Sequence, residues 1–249
     1  MNSDGYEKIG KAVDDQLAFT YFYPSILPDP DNVDLWPWGA FQEKDTREND
    51  ADEKNTQELF SWRFLGSYAS TALSDAHSAE EGSLHETEFI APFVRSYTAY
   101  ETPQPVYLVG YICVNEASGS LEQHVKESWQ SVVDTLQIGG ERSYGWGRVA
   151  LKDCNKIKEK VKKCFSYSLN YDGERPTITV PAGGRLLAHT DTKSLKDVEN
   201  GTLEPLVGRE TMSNASFGKE ISKARICWVP GTTITEEKTF QIQPKGIWG

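Results

Sequence analysis

Cysteine and histidine are both scarce in this 249-residue chain, with four of each. The thiols Cys113, Cys154, Cys164 and Cys227 form none of the close pairs that zinc and redox motifs use, so free cysteines are expected. No run approaches the roughly 18 apolar residues of a membrane span. The polar opening Met1-Asn-Ser-Asp-Gly-Tyr-Glu-Lys8 is unlike a secretion signal. A cytoplasmic protein with no membrane association, no cofactor and no metal is expected. Positive charge is also short: 26 Lys and Arg stand against 37 Asp and Glu, a net charge of −11 that argues at first sight against a polyanionic partner.

The distribution of charge weakens that argument. Between Asp29 and Glu58, ten acidic residues face only Lys44, Arg47 and Lys54, a local net of −7, so the rest of the chain carries −4. From Gly139 to Lys163 the balance reverses, with eight basic residues against Glu141, Asp153 and Glu159, a local net of +5. Phosphate responds to potential over about one Debye length, roughly 8–10 Å, so a basic stripe on an acidic protein can suffice.

Hydrophobic spacing predicts a short helix over 6–19, through Ile9, Val13 and Leu17, then an aromatic strand-like run from Phe19 to Pro24. Pro28–Asn32 reads as a loop and Leu35–Phe41 as an aromatic patch broken by proline. Glu43–Glu58 offers no large apolar residue and reads as a solvated loop. A strand and turn are expected over Phe60–Ser67, and strands over Glu88–Val94 and, best bounded of all, Gln104–Val114. An amphipathic helix follows over Ser120–Leu136, with Val125, Trp129, Val132, Val133 and Leu136 on its buried stripe. Arg148–Leu151 then reads as a strand. Beyond Lys152 the pattern is mostly β: a hairpin from Cys164–Tyr171 to Thr177–Val180, a strand at Arg185–His189, and a terminal pair, Ala224–Val229 with Lys238–Ile242. The class is α+β.

The chemistry concentrates in Leu136-Gln-Ile-Gly-Gly-Glu-Arg-Ser-Tyr-Gly-Trp-Gly-Arg-Val149. Its four glycines, Gly139, Gly140, Gly145 and Gly147, admit positive φ and carry no Cβ, so successive N–H groups can converge on an anion. Arg142 and Arg148 can grip phosphate bidentately, and Lys152 adds a cation just beyond. Ser143 supplies a hydroxyl, while Tyr144 and Trp146 suit stacking on bases. A dinucleotide fingerprint needs its glycines between a strand and a helix start, the reverse of this order, and a phosphate-loop Gly-Lys-Ser/Thr is missing. A glycine-rich hairpin that merely turns the chain is the competing reading.

The form Gly139-Gly-x-Arg-x-x-Gly-x-Gly-Arg148 resembles the CRISPR-associated RAMP superfamily, whose members hold guide RNA with such a loop. Phe64–Leu73 and Ala79–Pro92 are similar to the stretch of type III RAMP subunits that leads into the second half of a ferredoxin-like unit. The likeness runs over 60–151. It implies a ferredoxin-like (RRM-like) domain over 1–152, crRNA binding and assembly with other Cas proteins, most nearly as the subunit capping the guide's 5′ handle. It assigns the loop's role to Gly139, Gly140, Arg142, Gly145, Gly147 and Arg148. The hydrophobic strand with which relatives open is not evident before Tyr21. For the β-rich part, 153–249, a second, degenerate ferredoxin-like unit is one open reading.

Some relatives cut precursor crRNA through a histidine, which makes His77 and His85, set among Glu80, Glu81, Glu86 and Glu88, candidate catalytic residues; other RAMP subunits cut a backbone with a loop aspartate, for which Asp75 is the candidate. His85-Glu-Thr-Glu88 lacks the helical spacing of a metal motif. His124 reads as solvated and His189 as structural. A non-catalytic RNA-binding subunit, a metal-independent endoribonuclease and a protein-binding scaffold with a degenerate loop all stay open.

Overall fold

A computed structural model describes residues 10–11, 13–28, 57–75, 77–95, 102–114, 131, 133–152, 161–165, 167–171, 175–210 and 220–249. It is a mixed, strand-rich fold with few helices, and every strand ladder among these residues is antiparallel. None of the described helices is long and apolar enough to cross a membrane. The readings for Asp29–Asn32, Leu35–Phe41, Glu43–Thr56, His124 and most of Ser120–Leu136 lie outside the described residues.

The expected helix over 6–19 is helical only to Gln16. Strand β1 (Leu17–Phe19) follows, so an N-terminal strand does precede Tyr21. After it comes β2 (Tyr23–Ser25). Their partners are β6 (Ile112–Val114) and β5 (Tyr107–Val109), two short strands where the sequence predicted one. Close packing explains the break. A Cβ on Gly110 would lie 2.8 Å from the Phe22 ring and 2.9 Å from the Tyr21 carbonyl. Across the gap the Tyr111 amide donates to the Thr20 hydroxyl at 2.8 Å, and the Thr20 amide to the Tyr111 carbonyl at 3.0 Å.

Phe60–Phe64, predicted as a strand, belongs to the helix Gln57–Phe64. Phe60, Trp62 and Phe64 alternate as a strand would. Phe60 and Phe64 are also four apart, and in the helix their rings meet at 5.2 Å, both buried beside Ile26, Val94 and Val106. The chain then enters β3 (Leu65–Ser70), which pairs over its full length with β4 (His85–Ile90).

The main sheet holds β7 (Val161–Cys164), β8 (Tyr167–Asn170), β9 (Thr177–Val180) and β17 (Lys238–Gln241), in the order β17-β9-β8-β7. The predicted β8–β9 hairpin is present. Thr177-Ile-Thr-Val180 puts Ile178 and Val180 inward, while Thr179 meets Thr239 at 2.8 Å near solvent. Beside it lies a sheet of β10 (Thr190–Asp191), β15 (Arg225–Trp228) and β12 (Leu203–Leu206). The two predicted terminal strands therefore form, but pair with different partners rather than with each other. Two-stranded ladders join β11 (Val198–Asn200) to β16 (Thr233–Ile234), and β13 (Arg209–Glu210) to β14 (Glu220–Ile221).

Arg185–His189 is not a strand. Leu186, Leu187 and Ala188 are all buried in a bent segment, where the Leu186 amide donates to the Thr232 carbonyl and its carbonyl accepts from the Gly231 amide. Arg148–Leu151 likewise makes only one bridge, Arg148 to Gln137. The core stacks Phe240 on Trp248 and gathers Ile178, Leu186, Ile234 and Ile242. Ala18, Tyr23 and Tyr111 from the N-terminal half join the same cluster.

Candidate nucleic-acid interface

The glycine-rich segment folds as a closed hairpin. Gln137 and Arg148 form its bridge, the Ile138 amide donates to the Gly147 carbonyl at 2.8 Å, and the Val149 amide to the Leu136 carbonyl at 3.3 Å. At its base the Leu151 amide donates to Asp134 Oδ1 at 2.8 Å. Its tip is a short 3₁₀ turn, Arg142–Tyr144, between Glu141 and Gly145, both left-handed. Leu136, expected on a buried stripe, is 41% exposed.

The four glycines are not equivalent. Gly139, Gly145 and Gly147 have positive φ, whereas Gly140 does not and faces open space. Gly147 is the constrained one, because a Cβ there would lie 1.9 Å from the Ile138 carbonyl oxygen. Among the described residues, the amides of Gly139, Gly140 and Glu141 donate to no main-chain carbonyl. Along the hairpin and just beyond it Arg142, Ser143, Arg148 and Lys152 are exposed, and Tyr144 is 79% exposed. Neither arginine is paired with a carboxylate among the described residues.

Trp146 departs from its expected role. It is half-buried, 4.8 Å from Phe89 and 6.0 Å from Tyr68 between ring centres. Its contacts clip the glycine hairpin onto β3–β4 rather than offering a free ring. The sequence marks an aromatic between two glycines but does not say which surface it meets.

His77 and His85 sit apart in character. His77 has a positive φ of 58° and is exposed, in the connection between β3 and β4. His85 has both ring nitrogens engaged, Nε2 with the Ser70 hydroxyl at 2.8 Å and Nδ1 with the Ser83 carbonyl at 3.2 Å. Asp75 is exposed in the same connection. No group of three or more His, Cys, Asp or Glu is arranged to hold a metal among the described residues.

Sequence reasoning missed a second polar constellation. The Tyr21 hydroxyl and His189 Nδ1 are 2.6 Å apart, and His189 Nε2 meets the Glu204 carboxylate. A carboxylate only accepts, so Nε2 carries a proton, and in the neutral imidazole Nδ1 accepts from the tyrosine. Burial pushes the Tyr21 hydroxyl up to about 12, opposed by a hydrogen bond to the His189 backbone and reinforced by Cys227 and Glu204. On the same sheet Arg225 pairs with Asp191 at 3.1 Å and donates to Gln243 at 2.9 Å. Burial also raises the Cys227 thiol, and lifts that of Cys113 to about 11, which makes both poor nucleophiles. Tyr21 and His189 are 168 positions apart, so no local motif could have joined them.

No family model, curated protein or solved structure matches the chain.

Proposed function

We propose that the chain is a non-catalytic, crRNA-binding subunit of a type III CRISPR effector complex, of ferredoxin-like RAMP type, which holds guide RNA on its glycine hairpin beside other Cas proteins. One observation carries the reading: among the described residues, the exposed Arg142 and Arg148 of the hairpin have no carboxylate partner, and its Gly139–Glu141 amides make no main-chain bond. The engagement of both His85 ring nitrogens favours binding over cleavage at that residue.

The test is anisotropy with repeat-derived RNA across a salt series. Each phosphate contact on a single strand contributes about 0.7 to the log–log slope. Arg142→Ala with Arg148→Ala should therefore flatten the slope by about 1.4. An unchanged slope with an unchanged unfolding midpoint rules the hairpin out. The isolated wild-type chain should bind weakly, in the micromolar range or above. Outside the basic stripe the net charge is −16, the difference between −11 and +5, and it repels a long polyanion unless partner subunits cover it.

A further inference from the structure

The β3–β4 hairpin has two chemically opposite faces. Strand alternation places Gly66, Tyr68 and Ser70 with His85, Thr87 and Phe89 on one face, and Glu86 and Glu88 with Ser67 and Ala69 on the other. The first face carries no carboxylate, and it is the one to which the glycine hairpin is fixed.

That face is built in layers. Gly66 leaves room for Phe89, whose ring would lie 2.7 Å from a Cβ at that position. Phe89 supports Trp146, and Tyr68 stands at the edge of the stack, its ring 6.0 Å from Trp146 and 56% of the residue open to solvent. An aromatic surface thus continues directly from the segment that bears Arg142 and Arg148.

We infer that this surface takes a single-stranded polynucleotide, its phosphates on Arg142 and Arg148 and an unpaired base stacked on Tyr68. The inference rests on the RNA-binding reading above and names the form of nucleic acid that this site accepts. A duplex offers the same phosphates but keeps its base faces inside the stack, so it cannot use Tyr68. Glu86 and Glu88, on the opposite face, repel a strand that strays there.

The full chain is titrated with a 12-nucleotide oligouridine and with a 12-base-pair RNA duplex, for the wild type, Tyr68→Leu, Tyr68→Phe and the double arginine variant. The expected result is tighter binding to the single strand. Tyr68→Leu should lose about five-fold or more of that affinity, the low end of what one base–aromatic stack provides, with the salt slope unchanged. Tyr68→Phe keeps the ring and should keep the affinity, which separates stacking from a loosened hairpin. Equal affinity for the duplex, or wild-type affinity in Tyr68→Leu, overturns the inference. If Tyr68→Leu weakens binding while the arginine variant keeps the full slope, the aromatic surface stands and the glycine-hairpin reading falls. If the arginines set the slope and Tyr68 has no effect, the reverse holds. A wild-type chain that binds neither oligonucleotide overturns both.

Discussion

Gly147→Ala is expected to open the glycine hairpin and remove its share of RNA binding. The new Cβ would sit 1.9 Å from the Ile138 carbonyl oxygen, far inside contact distance, and no flexible side chain is there to yield. The residue would also have to hold a φ of 76°, which costs a non-glycine residue about 1–2 kcal/mol before any clash. The hydrogen bond from the Ile138 amide to the Gly147 carbonyl and the Gln137–Arg148 bridge are the first to go. Arg142 and Arg148 then lose their common frame, and affinity should fall at least as far as in the double arginine variant. The unfolding midpoint should change little, because no hairpin residue belongs to the main core. Gly140→Ala, whose Cβ meets open space, should keep the hairpin closed. Amide exchange at Ile138 and Val149 reads the geometry directly. Fast exchange in the Gly147 variant and slow exchange in the Gly140 variant is the expected pair, and slow exchange in both contradicts the assignment.

That contrast also shows what the sequence can and cannot convey. Four glycines within nine residues announce a tight turn, but the positive φ of Gly147 and its contact across the hairpin, nine residues back at Ile138, are what separate it from Gly140. Thr177-Ile-Thr-Val180 was legible because water covers one side of its sheet and the core the other, so burial alternates with the pleat. Phe60-x-Trp-x-Phe64 misled for the converse reason: spacings of two and four coexist, and tertiary packing of Phe60 on Phe64 chose the helix. Gln104–Val114 has the composition of a long strand, yet Gly110 exists to admit Phe22, a residue almost ninety positions earlier. Leu186-Leu-Ala188 has no periodicity to find, since all three residues are buried. Of the site, the arginines and Tyr144 stayed on the surface where the sequence put them. Trp146 could have met a base or another side chain, and the structure gives it Phe89.

His189→Ala should cost about 1–3 kcal/mol of stability at neutral pH, the penalty for leaving a mostly buried polar group without its partner. The imidazole is the middle of a chain, accepting from the Tyr21 hydroxyl and donating to Glu204. Glu204, 47% exposed at its side chain, can turn to water, so the loss falls mainly on Tyr21. The two groups lie on distant segments, and their contact holds the link between β1 and β2 against the β10–β15–β12 sheet. The same tyrosine sets an alkaline limit. Burial, the largest cause, lifts its hydroxyl from 10.0 to about 12, so the native state retains a proton that the unfolded chain releases two units earlier. The native state binds more protons in that window, hence stability is full below pH 10 and falls as pH rises towards 12. Cys113, raised by burial from 9.0 to about 11, adds a similar loss that begins one unit lower. Urea unfolding from pH 8 to 12, on the wild type, Tyr21→Phe and Cys113→Val, separates the two. Tyr21→Phe should flatten the decline between 10 and 12, and Cys113→Val the part between 9 and 11. A full decline that survives in Tyr21→Phe, together with a neutral-pH stability unmoved in His189→Ala, would mean that the hydrogen-bonded chain holds nothing. A decline flattened between 10 and 12 in Tyr21→Phe and a weakened His189→Ala protein would fix it as the clasp between the first strands and the C-terminal sheet.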